Sequence, residues 1–167
     1  MSGRLWYPQL DPYDAIRRIG ALLMSFAPAP GVERLYIADF YLANPPLLHR
    51  TTMLLDTRRA FNSLKIPRPE KSFLDYPAAP LLFHLMEPIQ REAVRAMAGK
   101  GLISIESLKR KVAEPTDSGR IAFGAELSHR LTETEPHLVR FLTQDFAGDA
   151  AVGAAELRKS TGLRRVG

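Results

Sequence analysis

The stretch "IADFYLANPPLLHR", residues 37–50, decides how the chain is read. With the residues before it, it predicts a helix over 32–43. Leu35, Ala38 and Leu42 lie on one face and Val32, Tyr36 and Phe40 on the next. So broad an apolar surface belongs to a central helix touched from several sides. Asn44-Pro45-Pro46 ends it, because the residue before a proline is pushed out of the α region. Asp39 in such a helix requires a partner, a hydrogen-bond donor or an arginine, since an unpaired buried carboxylate is costly. Tyr36 and Tyr41 bring hydroxyl tips on apolar bodies. The stretch therefore specifies the fold or, on the alternative reading, offers Phe40, Tyr41 and Leu42 to a partner.

Upstream, Asp11-Pro12 opens a first helix, with Asp as N-cap and Pro where its missing N–H was never needed. Tyr13, Ile16, Ile19, Leu23 and Phe26 fall at helical spacing, with Asp14, Arg17 and Arg18 on the opposite, polar side. A turn at "APAPG", 27–31, leads into the central helix. Downstream, a third helix restarts at Pro45 or Pro46, and a continuing or fourth one runs over 53–65. The core is expected to include Ile16, Leu23, Leu35, Leu42 and Leu55.

Residues 66–80, "IPRPEKSFLDYPAAP", carry four prolines and read as an irregular connector that packs down through Phe73 and Tyr76. After it, Leu85, Ile89, Val94 and Met97 form a helical stripe stopped by Gly99-Lys100-Gly101. A short Ser104-capped helix follows. This rhythm is that of a helix-turn-helix or winged-helix unit, with "TDSGRIAFG", 116–124, as the wing. A further helix is expected near 134–146, and a short one over 150–159. The fold class is mainly α: a small helical domain whose C-terminal half is helix-turn-helix or winged-helix-like. Its parts are an N-terminal helical region (1–66), a Pro-rich connector (67–80), a winged-helix-like region (81–146) and a C-terminal tail (147–167).

At 167 residues and 46% hydrophobic, the chain has enough apolar side chain for a core of its own. No apolar run is long enough for a membrane span, and "MSGRLWYPQLDPYD" lacks a signal-peptide pattern. Zero cysteines exclude disulfides, thiolate metal sites and a Cys nucleophile. A cytoplasmic location is expected. None of the four histidines lies three or four residues from another, and no nucleophile-elbow, P-loop, dinucleotide or zinc-protease motif occurs. "GKGLIS" follows a helix where a P-loop would follow a strand, so it reads as a helix-ending turn. The chain is expected to be no enzyme and to bind no metal or cofactor.

The net charge of +5 permits contact with nucleic acid or an acidic protein without requiring either. Positive residues gather in "KRK", 109–111, and "RKSTGLRR", 158–165. Lys109, Arg110 and Lys111, with Arg120 in the wing, are the candidate DNA contacts, reaching phosphates to give salt-sensitive, non-specific binding. The competing reading is a solvated helix end whose cations complement its dipole. In the tail, Leu157 and Leu163 flank a Thr161-Gly162 able to end a helix and turn the chain. They suit docking into a partner's groove while Arg164 and Arg165 meet an acidic surface or DNA; the competing reading is a simple solubilising tail.

"YPQLDPYDAIRRIGALL" (7–23) followed by "LYIADFYLANPPLL" (35–48) resembles the start of the middle component of ABC-three-component systems. These bacterial operons combine an SMC-like ATPase, a small middle protein and a variable third component, and overlap with Lamassu anti-phage systems. The first 50 residues carry the resemblance, and "VRAMAGKGLIS" is compatible with it. It implies a non-catalytic accessory subunit that docks the SMC-like ABC ATPase and couples DNA sensing to an effector component. The alternative is a free-standing winged-helix DNA-binding regulator.

Overall fold

The computed structural model describes residues 8–71, 76–127, 135–146 and 153–163. Helix α1 (Pro12–Ser25) starts as its sequence dictates: Asp11 Oδ1 accepts from the Tyr13 and Asp14 N–H groups, with Pro12 in the first turn. Helix α2 (Val32–Ala43) is buried along Leu35–Leu42 without interruption. Asn44 ends it, its side chain donating to Phe40 O at 2.9 Å and accepting from Gln9 Nε2 at 3.1 Å. The two prolines launch a 3₁₀ turn, Pro45–Arg50, rather than an α-helix. Helix α3 (Leu55–Ser63) follows, then α4 (Ala79–Gly99), which packs on α1 and α2. The proline-rich connector thus separates segments in sequence while their helices share one core. Tyr76 packs against that core, as expected; Phe73 lies outside the described residues.

The second half departs from a winged helix. Helix α4 ends in a two-bond glycine cap: Leu102 N–H donates to Met97 O at 2.9 Å and Gly101 N–H to Ala98 O at 3.0 Å, with Gly101 at φ 73°. Helix α5 (Ile105–Lys109) is capped by Ser104, which accepts from Ser107 N–H. The segment expected to be the wing is instead helix α6 (Asp117–Leu127), and the described residues form only two isolated β-bridges. Thr116 explains the difference: its hydroxyl accepts from Gly119 N–H at 3.0 Å, so "TDSG" is a capped helix start and not a hairpin turn. Gly119 is required there because a Cβ would stand 2.1 Å from Leu102 O. Helix α7 (Glu135–Arg140) runs on into a π-helical turn, Phe141–Phe146, and α8 (Ala154–Thr161) ends at Gly162, φ 72°.

Helix α1 contacts α2, α4, α6 and α7, so little of its circumference faces water. This overturns the two-sided reading of that helix. Arg18, placed on the polar side by periodicity, is 1% exposed, whereas Tyr13 is 84% exposed. The requirement set by Asp39 is met here. Arg18 donates to both Asp39 oxygens, at 2.7 Å and 3.2 Å, and Gln90 Nε2 of α4 adds a bond of 2.9 Å to the same carboxylate. The chain of charges continues outward: Arg18 bonds Asp14 at 2.9 Å, Asp14 accepts from Arg17, and Arg17 forks onto Glu135 of α7 at 2.7 Å and 3.0 Å. Burial would lower the basicity of Arg18, but Asp39 and then Asp14 more than reverse this, and its pKa is raised. Arg17 is raised likewise, burial being outweighed by Glu135 and Asp14. One polar network thereby pins α1, α2, α4 and α7.

Of the five expected core residues, Leu23, Leu35 and Leu42 are buried and Ile16 is partly buried against the core. Leu55 is 67% exposed, because α3 opens with its first turn in solvent. Leu85 is exposed too; the buried face of α4 runs through Leu82, Met86, Gln90, Ala93 and Met97.

Candidate functional site

The interface candidates within the central helix belong to the interior. Phe40 is fully buried and sits edge-on to Tyr41 and Phe83, at centroid distances of 5.0 Å and 5.5 Å. Tyr41 is equally covered; burial pushes its hydroxyl far above the ordinary phenol value, with the nearby Thr161 side chain opposing. A partner would have to open the fold to reach either residue. The tail leucines are corrected in the same way: Leu157 is 2% exposed and Leu163 0%, because α8 turns back onto α2 of its own chain. Arg158 binds Glu33 at 2.6 Å and Thr52 N–H donates to Ser160 O at 2.9 Å, so the seat of α8 is polar at its rim and apolar beneath. The turn expected at Thr161-Gly162 is present, with Gly162 N–H donating to Arg158 O at 2.8 Å. Arg164 and Arg165 lie outside the described residues.

The candidate DNA contacts end α5. Lys109 reaches Glu106 at 3.1 Å with both side chains exposed, a pairing that contributes little in water. Arg110 is exposed beside Ser107, and Arg120 is exposed on α6. Lys111 takes a left-handed backbone, φ 60°, that turns the chain out of α5. Its carbonyl accepts Val32 N–H at 2.9 Å, and Ala113 N–H donates to Pro30 O at 2.9 Å. Those two bonds moor the end of α5 to the start of α2.

This mooring forms one wall of an open cleft of about 620 Å³. Arg34 in the first turn of α2, Arg91 and Arg95 on α4, and Lys111 all line it, over a floor that includes Val32, Tyr36, Val94 and Leu108. Of the cations expected from sequence, the cleft collects Lys111 alone. Arg34, Arg91 and Arg95 were missed because they are dispersed in sequence; the one local signal is the four-residue spacing of Arg91 and Arg95 on a helix. The described histidines stand apart: His49 Nε2 bonds Ile66 O at 2.7 Å and its ring stands edge-on to Phe61, while His84 and His137 are exposed; His129 lies outside the described residues. Among the described residues, no three His, Asp or Glu side chains gather as a metal site.

No described helix is long and apolar enough to cross a membrane. Neither the curated proteins nor the solved structures contain a match to the chain. The family described as ABC-three component (ABC-3C) system Middle Component 5 matches residues 4–166. The match extends well beyond the first 50 residues that carried the resemblance. With its sequence covered almost from end to end, the chain belongs to the Middle Component 5 family of ABC-three component systems.

Proposed function

We propose that this chain is a non-catalytic accessory subunit that docks an SMC-like ABC ATPase in a cytoplasmic anti-phage complex of the Lamassu kind. It couples DNA sensing by that complex to an effector nuclease. Membership of a middle-component family carries the reading, since a middle component has partner components by definition. The surface supports it: Leu54 and Leu55 at the start of α3, and Leu81 and Leu85 one turn apart on α4, are large apolar side chains held in solvent. Co-expression with a neighbouring SMC-like gene should yield a complex that survives gel filtration. A chain that elutes as a monomer beside the ATPase defeats the proposal. The alternative, a free-standing winged-helix regulator, rested on the 86–124 segment and its clustered charge, and the part of that segment expected as the wing is helical from Asp117 on.

A further inference from the structure

We propose that the cleft between α2, α4 and the end of α5 is a binding site for the phosphate backbone of a nucleic acid. The inference stands apart from docking to an ATPase and concerns the isolated chain. Four cations from three separate elements, Arg34, Arg91, Arg95 and Lys111, line one cavity. One carboxylate, Glu33, shares the lining, and it is engaged by Arg158 at 2.6 Å. Glu87, just outside, is engaged by Arg91. Arg95 and Lys111 bring positive charge to a lining whose one described carboxylate is already engaged, over a partly apolar floor that weakens screening. Like charges held together in this way favour an anion between them. The first turn of α2, whose Gly31 cap brings no capping side chain, opens into the same space and adds the positive end of its dipole.

The chemistry of the lining selects among anions. Guanidinium groups present paired N–H donors that match phosphate oxygens two at a time. The cleft is open to solvent, and Lys109 and Arg110, exposed at the end of α5, directly precede Lys111 in the chain. A polymer that enters the cleft and continues across the end of α5 uses both parts. Among the described residues the charged lining apart from Glu33 is all cationic, so recognition is of backbone and not of base sequence.

The test is fluorescence anisotropy of the full chain with a labelled DNA duplex and a labelled single strand, each of two unrelated sequences, over a series of salt concentrations. Binding should be insensitive to sequence and weaken steeply with salt. Arg91→Ala/Arg95→Ala should weaken it about tenfold or more and lower the log–log salt slope by about 2 for duplex, roughly one unit for each phosphate no longer neutralised. Arg95→Gln alone should lower it by about 1, and provides the reading if the double variant fails to fold. Arg59→Ala, an exposed arginine of α3 outside the cleft, serves as a control and should bind like the wild type. ATP and inorganic phosphate are run as competitors. An unchanged slope in both cleft variants overturns the proposal. So does saturation by ATP or phosphate without binding of either oligonucleotide, which would make the cleft a small-anion site. Loss of ATPase docking with DNA binding intact would count against the functional proposal alone.

Discussion

Replacing Arg18 by methionine isolates the interaction that organises the centre of the molecule. Arg18 and Asp39 are 1% and 0% exposed, and the guanidinium supplies two of the three hydrogen bonds given to that carboxylate. Methionine keeps most of the side-chain volume but strands Asp39 with Gln90 as its donor. Removing one member of a buried pair costs about 3–5 kcal/mol, a large part of the roughly 5–15 kcal/mol that holds a domain folded. At about 2–4 °C per kcal/mol for a chain of this size, the melting temperature should fall by roughly 6–20 °C. Asp39→Asn should cost less, because Arg18 keeps Asp14 at 2.9 Å. Arg18→Met/Asp39→Leu should recover most of the loss, since no buried charge is left alone. Urea unfolding followed by circular dichroism measures all three. A loss below about 1 kcal/mol for Arg18→Met, or a double variant as unstable as the sum of the singles, refutes the reasoning.

Leu42→Ala, which empties a buried site on α2, should cost about 2–5 kcal/mol in the same assay, and a loss under about half a kcal/mol would place that helix face elsewhere. Gly119→Ala must displace the backbone of Leu102 and should cost about 1–3 kcal/mol; an unchanged midpoint would show that this approach relaxes freely. Truncation after Gly153 should lower the melting temperature of the isolated chain, because Leu157, Leu163 and the Arg158–Glu33 pair go with α8; unchanged melting would return the segment to the role of a partner-docking tail. Replacing Lys109, Arg110 and Lys111 by alanine should flatten the salt dependence of DNA binding without unfolding the chain, and an unchanged slope assigns all three to a solvated face.

Where a signal was local, the sequence was readable. Asp11-Pro12, Ser104 and Gly99-Lys100-Gly101 cap their helices as their chemistry dictates, and the proline pair ends α2. The need of Asp39 for a partner was legible too, but the identity of that partner was not. Periodicity assigns Arg18 to a wet face by assuming that a helix has one, and α1 is enclosed by four neighbours. "TDSG" serves equally as a hairpin turn or as a helix start. What decides is Thr116, tied to Gly101 O and Leu102 O while its hydroxyl accepts from Gly119 N–H, and only the assembled fold creates those ties. Phe40 and Tyr41 have the composition of an interface and the position of a core, and composition alone does not separate the two. The cationic cleft was invisible for a similar reason: Arg34, Arg91 and Lys111 meet only once α2, α4 and α5 are in place.

The seat of α8 on α2 has a consequence for the order in which the protein is made. Arg158 and Glu33 are 125 positions apart, and Leu157 beside Arg158 is buried only once α8 is in place. A ribosome adding about 5–20 residues per second needs on the order of 10 s to travel from the one to the other. Throughout that interval the side of α2 that α8 will cover is complete as a helix segment and bare as a surface. The nascent chain therefore shows the cell an apolar face that the finished molecule hides, and whatever binds there must let go before residues 153–163 settle into place.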